Sequence, residues 1–199
     1  SLKEIRFVLT SPAARSVFQE AIDGTRASPV ISRRLIEAIR DHYALEWNGI
    51  HGASHWSRVR LNGLELARST GADTTVVELF AFLHDSCRRN EGQDPMHGAR
   101  AADFVSRLQG EVFELTSQQL SCLMDACAGH TGGEVARNPT IATCWDADRL
   151  DLWRIGVEPD PLQLLTSVAK DPKLIAGAFA RFRGESRGDG PDCVESIEV

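Results

Sequence analysis

No stretch of this 199-residue chain approaches the roughly 18 consecutive apolar residues that a membrane span needs. A basic excess is missing too. The formal net charge is −6, which argues against a dedicated binder of duplex nucleic acid or of an anionic membrane. There is no CxxC pair. Cys87, Cys122, Cys127, Cys144 and Cys193 make an odd count, which suggests reduced, mostly buried thiols and a cytoplasmic setting rather than a disulfide or zinc framework. Ser1 to Thr10 interleaves Lys3, Glu4 and Arg6 with its apolar residues and does not read as a signal peptide. Repeats, low-complexity tracts and a convincing strand pair are all absent from the pattern. What is present is an ordinary globular balance, 42% hydrophobic and 25% charged, in a length suited to one domain.

The periodicity predicts helices throughout, hence an all-α bundle. Two or three are expected in residues 1 to 46, opened at Ser11-Pro12 and at Ser28-Pro29. A helix from about Ser54 to Ser69 should end at Gly71, where a C-terminal cap belongs. The next, from Asp73 or Thr74 to His84-Asp85, is apolar almost all round, as suits the centre of a bundle. A buried strand is the competing reading of that run, disfavoured because no neighbouring segment reads as a strand. After a polar loop from Arg88 to Pro95, helices are expected over Met96–Leu108, Ser117–Ala128 and Thr140–Ile155. One or two more follow, to about Arg183. The tail, 184 to 199, is rich in Gly, Asp, Glu and Ser and is expected to be mobile.

His84-Asp85 closes the most apolar helix of the chain. Ionisable groups in such a place are costly unless they reach water or are compensated, and a divalent metal would compensate them. The phase of the other helices favours a metal. His55 shares a stripe with Val59, Asn62 and Leu66. Asp148 lies on the apolar stripe Ile141, Trp145, Leu152 and Ile155, with Asp146 about 160° away and therefore solvated or behind the site. The stripe Leu120, Met124 (or Leu123) and Cys127 leads to His130. A single inward histidine is usually a hydrogen-bonded core residue, whereas several at once suit a shared metal.

The order His55, His84-Asp85, then Asp148 within Ala147-Asp148-Arg149-Leu150 resembles the HD-domain superfamily of metal-dependent phosphohydrolases, over about residues 50 to 155 of a single domain spanning 1 to 183. The resemblance implies an HD-type helical bundle and a site of His55, His84, Asp85 and Asp148 for one divalent transition metal: Mn, Fe, Co, Ni or Zn. It also implies an enzyme that hydrolyses a small phosphorylated molecule, a nucleotide among the candidates. His97, before Gly98-Ala99, and His130 resemble the further ligands of binuclear members, in which Asp85 would bridge two metals. The pattern departs at Thr131-Gly132-Gly133, where HD-GYP proteins carry their GYP motif, and at the single rather than double histidine.

Developing negative charge on phosphate calls for cations. Arg88 stands where many members carry the Lys of HDxxK. Arg89 adjoins it, and Arg58 lies one helical position beyond the His55 stripe; each is otherwise a solvated charge. Glu91 is a candidate for orienting water, or a plain loop carboxylate. Asp151 would orient a ligand or pair with Arg154. His51 is a candidate hydrogen-bonding neighbour of the site, and His42 reads as a surface residue. Trp56, Trp145 and Trp153 read as core or pocket wall. The alternatives are an HD-fold di-iron oxygenase, a non-catalytic metal or nucleotide-binding module and, last, a purely structural helical domain. No membrane partner is implied, and oligomeric state is left open.

Overall fold

The computed structural model describes residues 30 to 132 and 135 to 184. Within them the chain is helical: α1 (Arg33–His42), α2 (Ala53–Thr70), α3 (Thr74–Leu83), α4 (His97–Leu108), α5 (Ser117–Gly129), α6 (Pro139–Arg149), a 3-10 turn (Leu152–Ile155) and α7 (Pro172–Phe182). Among the described residues there is no strand, only an isolated bridge between Gln109 and Phe113. The helix expected at Ser11-Pro12 and the tail from 185 onward lie outside the described residues. No described helix is long and apolar enough to cross a membrane.

The bundle is organised around α3. Asp73 caps it, its carboxylate accepting from the backbone N–H groups of Thr75 and Val76. Every residue from Val76 to Leu83 is buried, and α3 packs against α2, α5 and α6. The apolar run is therefore a helix, as its pattern predicts, because three neighbours cover it on all sides. Its one acid, Glu78, is held by Arg60 at 2.6 Å. Around it the core gathers Leu35, Trp56, Leu66, Val105, Leu123 and Trp145. Gly71 takes the left-handed conformation (φ 68°) that ends α2, as expected of a C-terminal glycine.

Two boundaries differ from expectation. The first described helix opens at Ser32, whose hydroxyl accepts from Leu35 N–H, so Val30 and Ile31 precede it. The helix expected to run from Thr140 to Ile155 ends at Arg149. The backbone then tightens, with Asp151 N–H bonding to Asp148 O and Arg154 N–H to Asp151 O. Asp151 is drawn into side-chain bonds with α2, which turns the chain off the helical path, and Ile155 ends up 46% exposed rather than on an apolar stripe.

Candidate metal centre

Five segment ends converge beside the C-terminus of α3. That helix delivers His84 and Asp85; the first turn of α2 brings His55; α4 begins with His97; α5 ends at His130; and Asp148 lies in the last turn of α6. The four histidines and Asp85 are buried, and Asp148 is nearly so. One close approach makes the meeting of α4 and α5 possible. A Cβ at Gly98 would stand 2.5 Å from Cys127 O, so only glycine lets His97 come beside His130.

Each of these histidines is pinned at Nδ1 by a group that can only accept. His55 Nδ1 donates to Asp151 Oδ2 at 2.7 Å, His84 to Phe80 O at 3.0 Å, His130 to Cys127 O at 2.7 Å, and His97 to Asp94 O. The neutral tautomer therefore leaves a lone pair on every Nε2. All four Nε2 atoms point inward. His55 Nε2 lies 3.1 Å from His84 Nε2, and both face Asp148 Oδ1, at 3.4 and 3.8 Å, and Asp85 Oδ2, at 3.7 Å each. On the other side of the Asp85 carboxylate, Oδ1 lies 3.1 Å from His97 Nε2 and 3.5 Å from His130 Nε2, which are 2.8 Å apart. Metal bonds of 2.0–2.2 Å put neighbouring donors roughly 3.0–3.4 Å apart, close to these spacings.

Facing lone pairs repel unless a positive charge lies between them. A proton could serve the His97–His130 pair. Burial alone would lower the His130 pKa, but its hydrogen bond and attraction to Asp85 raise it above the ordinary value. It does not serve the His55–His84 pair. Burial holds His84 at about 4 and His55 well below the ordinary histidine value, so both are neutral near pH 7. Beside them Asp148 Oδ1 is buried without a hydrogen-bond partner. The carboxylates nevertheless stay ionised. Burial pushes the Asp85 pKa up, but His84 and the histidines around its carboxylate, His130, His51 and His97, outweigh it and hold it well below the usual range. For Asp148 burial is likewise outweighed, chiefly by Arg154 and His84. Neutral imidazoles, ionised carboxylates and an orphaned buried oxygen around one point fit a divalent metal.

The surrounding residues divide into those at the cavity and those behind it. A cavity of about 730 Å³ opens over Asp85, His97, His130 and Asp148, walled by Arg88, Arg149, Arg154, Thr131 and Leu162, among others. Arg88 is there as expected, Nη1 lying 3.5 Å from Asp85 Oδ1 and Nη2 donating to Gly92 O. Arg58 is not. It turns away from this cavity and grips Asp151 through Nε and Nη2, at 2.6 and 2.9 Å. Asp151 thus orients His55, as one expectation had it, but its side chain pairs with Arg58; Arg154 reaches only its backbone oxygen. Glu91 does not line this cavity; it is 40% exposed and lies 3.9 Å from His51 Nε2, and Arg89 is exposed.

Of the two places expected for Asp146, the structure takes the one behind the site: the residue is fully buried, away from water. It accepts from Leu165 N–H, Thr166 N–H and the Thr166 hydroxyl, and so ties down the segment that carries Leu162 and Gln163 to the cavity. His51 is buried and donates from Nδ1 to Asp85 Oδ2 at 2.7 Å. His42 is exposed, stacked on Phe104. Trp56 and Trp145 belong to the core, and Trp153 packs on Phe179. Among the cavity residues that had not been singled out for this site are Arg154, Arg149 and Thr131, whose hydroxyl lies 3.3 Å from His97 Nε2. Arg154 alone left a trace, in its i+3 spacing from Asp151.

The chain superposes on the crystal structure of a predicted HD superfamily hydrolase from an uncultured Thermotogales bacterium. The TM-score is 0.57 and the identity 24%, over 74% of this chain and 84% of that one. The two proteins share a fold. No family model matches the sequence, and no curated protein does. In this chain the His84-Asp85 dipeptide sits at the end of the central helix, and the other candidate ligands reach it from four neighbouring segments.

Proposed function

We propose that the protein is a metal-dependent hydrolase of small phosphorylated molecules, nucleotides among the candidates, with the metal held by His55, His84, Asp85 and Asp148. The observation that carries this is the His55–His84 pair: two neutral lone pairs 3.1 Å apart beside a buried oxygen of Asp148 that has no hydrogen-bond partner, Asp148 itself lining an arginine-walled cavity. The HD superfamily hydrolase of like fold supports it. A divalent metal, when bound, supplies Lewis acidity and lowers the pKa of a water toward neutrality.

The chain's own residues do the rest. Asp151 and the Phe80 carbonyl hold the imidazoles of His55 and His84 in the liganding tautomer. His51 steadies Asp85 without using up its acceptors, since each carboxylate oxygen has two lone pairs. Arg88 and Arg154, whose guanidiniums border the cavity, offer fixed positive charge to a phosphoryl group as its negative charge grows. Glu91, half-exposed and 3.9 Å from His51 Nε2, is placed to relay a proton from His51 to solvent.

The second donor group, Asp85 Oδ1 with His97 and His130, favours a further reading. With a second metal there the site would be binuclear, which suits in-line displacement at phosphate but is also what a di-iron oxygenase would use. Elemental analysis of protein purified without added metal tests both, on wild type and Asp85→Ala. About one or two transition-metal ions per chain, lost in the variant, and turnover of a panel of phosphate esters would support the hydrolase. Two irons with oxygen consumption and no ester hydrolysis would replace it. No metal in wild type, and none taken up from Mn, Fe, Ni or Zn, would end both.

A further inference from the structure

A second cavity, of about 330 Å³, lies on the other side of Arg154 and is bordered by Ser54, Arg58, Arg154, Arg181 and Arg183. Four guanidiniums around one hollow repel one another unless anions intervene. Among the described residues, Asp151, Asp148 and Asn62 answer part of this charge. Asp151 takes two N–H groups of Arg58, and Asn62 Oδ1 accepts from Arg181 Nε at 2.8 Å. The acids whose charge reaches Arg181 are Glu65 and Asp151. Arg154, with a side chain only 7% exposed, donates from Nη1 to Asp151 O, yet its Nε is buried with no hydrogen-bond partner. The Ser54 hydroxyl, on the same wall, is buried and unpartnered as well. Both donors belong to residues that wall a hollow bordered by four arginines, and such a hollow suits a ligand made of acceptors; a tetrahedral oxyanion is one that guanidinium grips with paired N–H bonds.

We propose that this cavity is a phosphate-binding site, distinct from the metal cage but sharing Arg154 with it. Arg154 borders both hollows, its Nη2 lying 3.6 Å from Asp148 Oδ1. Two sources carry the required chemistry, free inorganic phosphate and the second phosphate of a doubly phosphorylated molecule. The site stands without the hydrolase reading, since none of its donors need a metal.

The test is thermal unfolding of the chelator-treated protein, followed by circular dichroism, as chloride is replaced by inorganic phosphate at constant ionic strength. Wild type should show a saturable rise in Tm. Arg181→Gln should weaken the apparent affinity about tenfold or more, and Ser54→Ala should weaken it measurably, as expected for lost charge-assisted bonds. Ser54→Ala is the milder change and keeps the test open if Arg181→Gln does not fold. No saturable rise, an equal rise with chloride, or unchanged affinity in the folded variants would overturn the proposal. The same titration with a nucleoside 3′,5′-bisphosphate and a nucleoside 5′-monophosphate separates the sources. A bisphosphate preference lost in Arg181→Gln assigns the site to the second phosphate; equal binding assigns it to inorganic phosphate. No turnover and no metal enter this measurement, so its failure would leave the metal-centre reading standing.

Discussion

The two halves of the histidine cluster look alike and are held differently. Around His55, His84 and Asp148, burial keeps both imidazoles neutral, and a carboxylate oxygen is left without a partner. Around His97 and His130, the pull of Asp85 lifts one imidazole toward protonation, and the Thr131 hydroxyl stands within 3.4 Å of both Nε2 atoms. A proton and a hydroxyl can satisfy the second half; the first, with neutral imidazoles beside an ionised carboxylate, suits a metal cation. Similar residues at similar spacings therefore do not make equivalent sites. Solvent access and the neighbours of each donor decide which half depends on a metal.

The largest expected effect breaks the cluster unevenly. His55→Ala should abolish transition-metal binding, whereas His97→Ala should keep about one ion per chain, read by elemental analysis. Equal losses in the two variants would mean that the halves bind as a unit. Next comes Asp151→Asn, which removes the anion fixing His55 Nδ1 and should weaken metal affinity about 10–100-fold, measured by competition with a chelating dye. The same change at Asp94, which orients neither His55 nor His84, should spare the first ion. Arg88→Ala should lower kcat/KM for phosphate esters by about 10–100-fold with metal content unchanged. An unaltered kcat/KM would take Arg88 out of the reaction.

The smallest effect is on stability against pH, and it has opposite signs in the two halves. His84 titrates at about 4 in the folded chain and near 6.5 when unfolded. Between those values the unfolded chain binds the extra proton, so the metal-free protein should lose up to about 3 kcal/mol as pH falls from 6.5 to 4. His130, raised in the fold, contributes stability that is full below 6.5 and fades as pH rises through its folded value. Urea unfolding of chelator-treated protein across this range should show the His84 slope and lose it in His84→Gln.

Much of this was legible along the chain. An apolar run that ends in two ionisable residues names both the central helix and its functional end, since a helix covered on all sides has no other place for them. Helical phase turned His55 and Asp148 inward on the same logic. The phase failed beyond Arg149, because Asp151 is committed to His55, 96 positions earlier in the sequence. For Asp146 it left water and the space behind the site both open, and 160° from the metal-facing side meant the underside of a loop. Arg58 lies close to the right stripe but is held away from the cavity by a carboxylate that no spacing rule brings near it.

The sequence by itself thus determined an all-helical fold, the helix at its centre and the residues able to ligate a metal, because periodicity and burial are local properties of a chain. Which nitrogen of each histidine faces inward, which arginine meets the cavity, and which half of the cluster keeps neutral imidazoles were decided by the tertiary structure alone. Those outcomes depend on the acceptor behind each ring and on the water excluded around it, and helices distant in the sequence supply both.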